Sequence, residues 1–245
     1  MPESDLRRFA DLLQKASHIA VLTGAGMSTE SGIPDFRSST GVYNTISSEE
    51  IFDIDAFYAK PEYFYKVMGP FLCKISEAQP NAGHHALARL EQTGRAVTIA
   101  TQNIDGLHQR ANSTQVKEVH GTLSTMTCLT CGRHENSDNL KNFFQQGKVP
   151  RCPCGGIYKP DITFYGEALP QQAFAEAVAA FQSCDLALIL GTSLAVYPAG
   201  SLPSFRPRGT PVVVINKSEV DIGATLTFPD AIGKILPQAV DMLVS

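Results

Sequence analysis

Four short apolar runs, each followed by small or polar residues, constrain the fold of this chain more than any other feature. The runs cover residues 19–22, 96–100, 186–190 and 212–215. Helical patterns at 82–92 and 171–181 lie between them, and another, with Ser4 as its expected N-cap, precedes the first run. Short apolar strands that alternate with helices predict a parallel sheet covered on both faces. We therefore expect an α/β fold with a Rossmann-like parallel sheet.

The residues that follow these runs indicate a ligand site. In an open parallel sheet the carboxyl ends of the strands lie along one edge, which is where ligands bind. One polar strand end is also typical of a helix cap, but four together favour a ligand crevice. The four ends are Gly24-Ala25-Gly26, Gln102-Asn103, Gly191-Thr192-Ser193 and Asn216-Lys217.

The first of these ends is a glycine turn suited to a pyrophosphate, because it leaves backbone amides free where a helix begins. The G-x-G-x-x-G fingerprint of dehydrogenases is incomplete, since Thr29 stands in place of its third glycine. No acidic residue follows a strand about 20 residues later to bind an adenosine ribose, which disfavours an ordinary dehydrogenase. The turn continues to Asp35, Phe36 and Arg37, and we expect this stretch to cover a bound nucleotide.

Length, composition and charge exclude several classes of protein. The 245 residues suit one domain of Rossmann size with a smaller appendage. A hydrophobic content of 43% argues against disorder. The formal charge of -4, without a Lys/Arg run, argues against direct nucleic-acid binding. No signal-peptide pattern and no apolar run of about 18 residues is visible, so we expect a cytoplasmic protein that does not bind a membrane.

Four of the six cysteines fall in one short segment: Cys128, Cys131, Cys152 and Cys154. In a chain without a secretion signal, two close pairs favour a metal site over disulfides. Four thiolates fill the tetrahedral coordination of zinc and leave no position for a reacting water. We expect a structural zinc ion, with an empty or degenerate site as the alternative.

Several blocks of the chain resemble the signatures of the sirtuins, the NAD-dependent protein deacylases. The first is GAGMSTESGIPDFR at 24–37, and the second is QNIDGLH at 102–108. His120-Gly121 resembles the catalytic histidine block, FYGE at 164–167 the substrate strand, and GTS at 191–193 the adenosine-ribose loop. The blocks occur in the family's order and cover most of the chain from about residue 19 to residue 217.

The resemblance implies an NAD site with a role for each part. Gln102 and Asn103 would contact the nicotinamide ribose, Phe36 would shield the reactive sugar, and Asp105 would accept from the nicotinamide carboxamide. The complete implied set is Gly24, Ala25, Gly26, Thr29, Asp35, Phe36, Arg37, Gln102, Asn103, Ile104, Asp105, His120, Gly191, Thr192, Ser193, Asn216 and Lys217.

The implied reaction is removal of acetyl, or another uncharged acyl group, from protein lysine side chains, with His120 and Asn103 as the catalytic residues. The acetyl oxygen would attack the ribose C1′ as nicotinamide leaves, and His120 would then deprotonate a ribose hydroxyl. Water would complete the release of lysine and O-acetyl-ADP-ribose. Two alternatives stay open: mono-ADP-ribosyl transfer, and an inactive NAD sensor, which the joint presence of His120, Asn103 and Asp105 disfavours.

The resemblance also implies a domain layout and a peptide site. The Rossmann-like domain would comprise residues 1–37, 80–121 and 159–245, with a helical insertion at 38–79 and a zinc-binding module at 122–158. An acetyl-lysine peptide would bind to a monomer as an added strand. Its contacts would be Phe164, Tyr165, Gly166, Glu167, Leu194 and Val196.

The chain departs from the family pattern at three places. The second cysteine pair is C-x-C, where the family has C-x-x-C, and Asn112 replaces a common glycine, which asparagine tolerates in left-handed backbone. Sirtuins that remove succinyl groups have a Tyr-x-x-Arg pair in the helical insertion, whereas this chain has Tyr65 and Met68. Met68 would form an apolar wall, and Met68→Arg would move the preference toward succinyl.

Overall fold

The structure, a computed structural model, describes residues 3–34 and 48–244. Its strands are β1 (His18–Thr23), β2 (Ala96–Thr101), β3 (Val116–Glu118), β4 (Gly121–Cys128), β5 (His134–Asn136), β6 (Tyr158–Ile162), β7 (Leu186–Leu190), β8 (Val212–Ile215) and β9 (Leu226–Phe228). Its α-helices are α1 (Glu3–Lys15), α2 (Ser48–Ile51), α3 (Ile54–Ala59), α4 (Pro61–Glu77), α5 (Ala82–Gln92), α6 (Leu107–Arg110), α7 (Lys141–Gln145), α8 (Gln171–Ser183) and α9 (Ile232–Val244).

Six strands form a parallel sheet in the order β3-β2-β1-β7-β8-β9. This is the strand order of doubly wound dinucleotide-binding sheets. In such sheets the chain adds strands first on one side of the first strand and then on its other side. The reversal lies at β1, between β2 and β7, and the glycine turn follows β1 directly. The predicted Rossmann-like sheet is confirmed.

Both faces of this sheet are covered, which explains why its central strands are apolar throughout. Every residue of β7 and of β8 is buried. Helices α1, α5 and α9 cover one face, where Phe9 and Leu87 belong to the core, and α8 covers the other with Phe181. Helix α1 begins at Glu3, so Ser4 lies in its first turn and the predicted cap position was wrong.

A second, smaller part lies at the carboxyl ends of the strands of this sheet. Strands β5, β4 and β6 form an antiparallel sheet that extends from residue 121 to residue 162. Helices α2, α3 and α4 share an apolar core with it, in which Phe57, Phe64, Tyr65 and Phe164 are almost completely buried. The ring of Phe164 packs edge-on against those of Phe52 and Phe57, so the helical segment and the segment after β6 form one unit.

Two backbone features bear on the sequence analysis. Asn112 has a φ of 73°, so the left-handed conformation expected at this position is confirmed. Among the residues that the structure describes, no helix has the length and apolar character that crossing a bilayer requires.

Candidate active site

A cavity of about 1160 Å³ lies along the carboxyl edge of the larger sheet, between that sheet and the smaller part. Thirteen predicted NAD residues line it: Ala25, Gly26, Thr29, Gln102, Asn103, Ile104, Asp105, His120, Gly191, Thr192, Ser193, Asn216 and Lys217. Gly24 lies behind the lining, where its carbonyl accepts from Asn103 Nδ2 at 3.1 Å. Asp35, Phe36 and Arg37 lie outside the described residues.

Glycines let two loops meet without side chains at the base of the cavity. The Gly26 amide donates to the Gly191 carbonyl at 2.8 Å. Gly191 has a φ of 64°, and a Cβ there would lie 2.4 Å from the Met27 nitrogen. A Cβ at Gly24 would lie 2.7 Å from that of Thr192. The resulting cradle of backbone, without side chains between the loops, leaves room for a diphosphate at the base of the cavity.

Gln102 offers a free donor to a ligand in this cradle. Its Oε1 accepts from the Thr192 hydroxyl at 2.9 Å, which fixes the orientation of the amide. Its Nε2 is buried and has no partner within the described part of the chain. A buried amide donor without an acceptor is unfavourable, so an oxygen of a bound nucleotide is the partner that this arrangement fits.

A buried network joins the loops after β1 and β2. Ser28 Oγ donates to Asp105 Oδ2 at 2.6 Å and accepts from Asn103 Nδ2 at 3.0 Å. The Leu107 amide donates to Asp105 Oδ1 at 2.9 Å. Burial raises the pKa of Asp105, and the hydrogen bonds from Ser28 and Leu107 partly oppose this increase. The network holds both Asn103 and Asp105 in one orientation toward the cavity.

His120 follows β3, and one hydrogen bond determines its tautomer. Its Nδ1 lies 3.0 Å from the Gln102 carbonyl oxygen. A carbonyl can only accept, so Nδ1 carries the proton and Nε2 presents a lone pair. Burial lowers the pKa of His120, which this hydrogen bond partly opposes. A neutral imidazole with a free Nε2 in the cavity lining is suited to proton removal.

All of the predicted peptide contacts except Leu194 line the cavity, but the segments that carry them are not regular strands. The Tyr165 amide donates to the Phe52 carbonyl at 2.7 Å, and the Tyr165 carbonyl accepts from the Ile54 amide at 3.1 Å. The backbone of Tyr165 is therefore already paired with the helical segment. Gly166 keeps both backbone groups unpaired within the described residues. On the other wall Val196 lines the cavity, whereas Leu194, with a φ of 59°, does not.

The four clustered cysteines meet the geometry of a zinc site. Their sulfur atoms all lie within 4.8 Å of one another, with 3.6 Å between Cys128 and Cys154 and 3.7 Å between Cys131 and Cys152. Zn–S bonds of about 2.3 Å place tetrahedral sulfurs about 3.8 Å apart. The C-x-C spacing is therefore compatible with zinc.

The protonation of these thiols also fits a cation. Backbone amide hydrogen bonds lower the pKa of Cys128, and the bond from the Cys131 amide has the largest effect. The pKa of Cys152 is lowered to about 6, chiefly by a hydrogen bond from the Cys154 amide. A hydrogen bond from Gly156 lowers the pKa of Cys154, but the other three thiols raise it to about 12. Crowded thiols that cannot all ionise are the donor set that a divalent metal stabilises.

Tyr65 and Met68 do not lie where the acyl-group interpretation placed them. Both are buried in the core of the smaller part, and neither is among the described residues that line the cavity. The Tyr65 hydroxyl donates to the Tyr158 carbonyl at 2.5 Å. Arginine at position 68 would bury a cation in this core, so we now expect Met68→Arg to destabilise the protein instead of changing its acyl preference.

Sequence reasoning missed two parts of the site. Ser28 stands inside the glycine turn and could have been selected, because it is a hydroxyl next to predicted ligand-binding backbone. Asp230, Ala231 and Ile232 line the cavity at the start of α9. They follow the three-residue strand β9, which is too short to give a periodic signal.

The fold and this cavity are those of a doubly wound, dinucleotide-binding enzyme, with a neutral histidine in the cavity lining. The chain belongs to the Sir2 family, whose profile matches residues 24–198. The resemblance to the sirtuins is confirmed.

Individual relatives agree with this assignment. The NAD-dependent protein deacetylase 1 of Pyrobaculum aerophilum is 39% identical over 244 residues, which is 98% of this chain and 95% of that protein. The NAD-dependent protein deacetylase of Thermotoga maritima is 40% identical over 227 residues, covering 91% of this chain and 92% of that protein. A solved structure described as Sir2 with a p53 peptide and NAD+ has a TM-score of 0.88 at 37% identity, covering 97% of this chain and 98% of that one.

Proposed function

We propose that this protein removes acetyl groups from lysine side chains of other proteins and consumes NAD, with release of nicotinamide and O-acetyl-ADP-ribose. The names of the relatives support the activity. A solved Sir2 structure described with a deacetylated p53 peptide and 3′-O-acetyl ADP ribose, at a TM-score of 0.91 and 37% identity, supports the products. The observation that carries the proposal is the Nδ1 contact of His120, which leaves Nε2 as a base in the cavity.

Bound NAD would supply an electrophilic ribose carbon, a nicotinamide leaving group and the ribose hydroxyl that accepts the acetyl group. The chain would bind its diphosphate at the cradle of Gly26 and Gly191, and Gln102 Nε2 would donate to an oxygen of the nucleotide. Asn103 and Asp105, held by Ser28, would orient the nicotinamide half. His120 Nε2 would take a proton from the ribose hydroxyl. Asn216 and Lys217 would lie along the adenosine half.

The peptide would bind across the cavity entrance between segment 163–167 and Val196. Because Tyr165 is already paired, we propose that the Gly166 amide and carbonyl form the main backbone contacts with the peptide. Backbone pairing accepts many sequences, which favours a loose sequence preference. Among the described lining residues the only Lys or Arg is Lys217, at the adenosine end. The Lys159 ammonium lies 4.3 Å from the centre of the Phe164 ring, but it is paired with Glu167 and is not among these lining residues. With no unpaired cation among the described lining residues near Phe164 to neutralise a carboxylate, uncharged acyl groups are favoured over succinyl.

We further propose that the four-cysteine cluster holds one structural zinc ion, and that the protein is a cytoplasmic monomer. Two close cysteine pairs that meet as one metal-binding cluster favour a reducing compartment over a disulfide framework.

The test is nicotinamide release from NAD with an acetyl-lysine peptide and with the same peptide unmodified. We expect release to depend on the acetyl group, and His120→Ala to lower acetyl-lysine turnover by about 10²-fold or more while NAD still binds. His134→Ala is the matched control, because His134 is exposed in the smaller part, away from the cavity.

NAD labelled in its adenylate half separates this reaction from mono-ADP-ribosyl transfer. Label in acetyl-ADP-ribose supports deacetylation. Label on protein, or release that ignores the acetyl group, would overturn the proposal.

A further inference from the structure

Lys159 in β6 is a lysine whose charged end is almost completely removed from solvent. Its side chain is 8% exposed. The ammonium lies 2.8 Å from Glu167 Oε2 and donates to the carbonyls of Ile162 at 2.9 Å and Pro160 at 3.2 Å. An ammonium has three donors, so each donor has one acceptor. The ammonium also lies 4.3 Å from the centre of the Phe164 ring.

Burial of a lysine is unfavourable unless its charge is paired and hydrogen-bonded. All of the acceptors here belong to a stretch of eight residues, from Pro160 to Glu167. Lys159 is not among the described residues that line the cavity, so we assign it no contact with the nucleotide. Its contacts instead determine the conformation of the chain that follows β6.

That stretch contains segment 163–167, which lines the cavity. Glu167 Oε2 also accepts from the Phe164 amide at 2.8 Å, and the Glu167 amide donates to the Phe164 carbonyl at 3.0 Å. Glu167 therefore closes a tight turn around Tyr165 and Gly166, and the Lys159 ammonium binds the carboxylate that closes it. The Thr163 amide donates to the His120 carbonyl at 2.8 Å, so the same stretch contacts the candidate base.

We propose that Lys159 is a positioning residue for the acylated peptide: through Glu167 and Phe164 it holds the turn that presents the Gly166 backbone to the substrate. This inference rests on the proposed function, because it names the element that binds the peptide. None of the contacts described for Lys159 reaches the nucleotide cradle of Gly26 and Gly191, so we expect removal of the ammonium to act mainly on the peptide side.

Lys159→Met keeps the apolar stem of the side chain and removes the ammonium. We expect the KM for an acetyl-lysine peptide, and its dissociation constant measured by fluorescence anisotropy, to rise by about tenfold or more, the scale of one charged hydrogen bond. The kcat and the KM for NAD are expected to change by less than about threefold. Lys159→Arg keeps the charge and is expected to restore most of the peptide affinity.

Lys141→Met is the matched control, because Lys141 pairs with Glu77 at 2.9 Å on the surface of the smaller part. Unchanged peptide affinity in folded Lys159→Met, or an equal loss of peptide and NAD affinity, would overturn the proposal. If Lys159→Met does not fold, Glu167→Gln carries the same expectation, since it keeps an oxygen for the Phe164 amide and removes the paired charge.

Anisotropy separates this inference from the proposed function. Wild-type protein that binds the acetyl peptide without turnover would contradict the function but leave the positioning role measurable.

Discussion

Two buried histidines behind the cavity predict that the fold loses stability as the pH falls below 6.5. His84 and His108 are both buried, and their ring centres are 4.8 Å apart. The pKa of His84 is lowered to about 2, chiefly by burial and then by the neighbouring charges of His108, His85 and Arg110. Burial lowers the pKa of His108 to about 3. Both side chains are therefore neutral in the folded protein at pH 5.

The sign and size of the effect follow from proton linkage. In the unfolded chain a histidine has a pKa of about 6.5, so it binds a proton between pH 7 and pH 5, whereas the folded protein does not. Proton uptake by the unfolded state lowers the free energy of unfolding by about 2 kcal/mol per histidine over this interval, and by about 4 kcal/mol for the pair. This is a large part of the usual 5–15 kcal/mol.

The assay is urea unfolding at pH 7, 6 and 5 for wild type, His84→Gln and His85→Gln. His85 is the next residue of α5 but is exposed. We expect His84→Gln to remove about half of the loss between pH 7 and pH 5, and His85→Gln to keep the wild-type dependence. Because all three proteins have the same carboxylates and the same cysteine cluster, the comparison removes the contributions of these groups to the pH dependence of unfolding. Equal pH dependence in all three proteins would refute the burial argument.

Two further predictions concern the cradle and the metal site. Gly191→Ala should raise the KM for NAD by about tenfold or more, because its Cβ would meet the Met27 nitrogen at 2.4 Å. Gly209→Ala is the control, since Gly209 shares the positive φ, at 85°, but has nothing within 4 Å of an added Cβ. An unchanged KM for NAD in Gly191→Ala would contradict the assignment of Gly191 to the nucleotide cradle. Purified protein should contain about one zinc ion per chain. Tyr158→Phe should speed the loss of this zinc to a chelator several-fold, because within the described part of the chain the buried Tyr158 hydroxyl has no acceptor other than the Cys152 sulfur beside it. Tyr65→Phe should not, since its hydroxyl donates to a carbonyl; equal rates in the two variants would contradict this role.

The sheet was predictable from the sequence because its strands are buried on both faces. Such strands are continuous apolar runs, and the residues after them are restricted to small or polar types by the ligand edge. Strands β3 and β9 have three residues each and lie at the two edges of the sheet. An edge strand of that length has too few residues for a pattern, so β9 and the cavity residues after it were not predicted.

The acyl-group interpretation shows where a family pattern stops being informative. Tyr65 and Met68 are three residues apart on α4, so a helix places them on one face. The helix alone does not determine what that face contacts. In this protein it packs on β6 and α7, where the rings of Tyr65 and Phe144 stack with their centres 6.1 Å apart and an angle of 3° between their planes. The contacts of this face are determined by tertiary packing against residues about 80 positions later, and the local spacing of Tyr65 and Met68 does not predict them.

The side chains of the candidate site depend on the same kind of distant contact. Ser28 and Asp105 are 77 positions apart, and His120 is held by a carbonyl 18 positions earlier. The sequence supplies the residue types at the strand ends, but the hydrogen bonds form only after β1, β2 and β3 lie side by side. The register of the parallel sheet fixes which residues lie beside each other, because it aligns Thr23 with Thr101 and Thr101 with Glu118. The orientation of the His120 ring is thus a consequence of strand register, and a one-residue change in the loop between β3 and His120 would separate Nδ1 from the Gln102 carbonyl while leaving every predicted site residue in the chain.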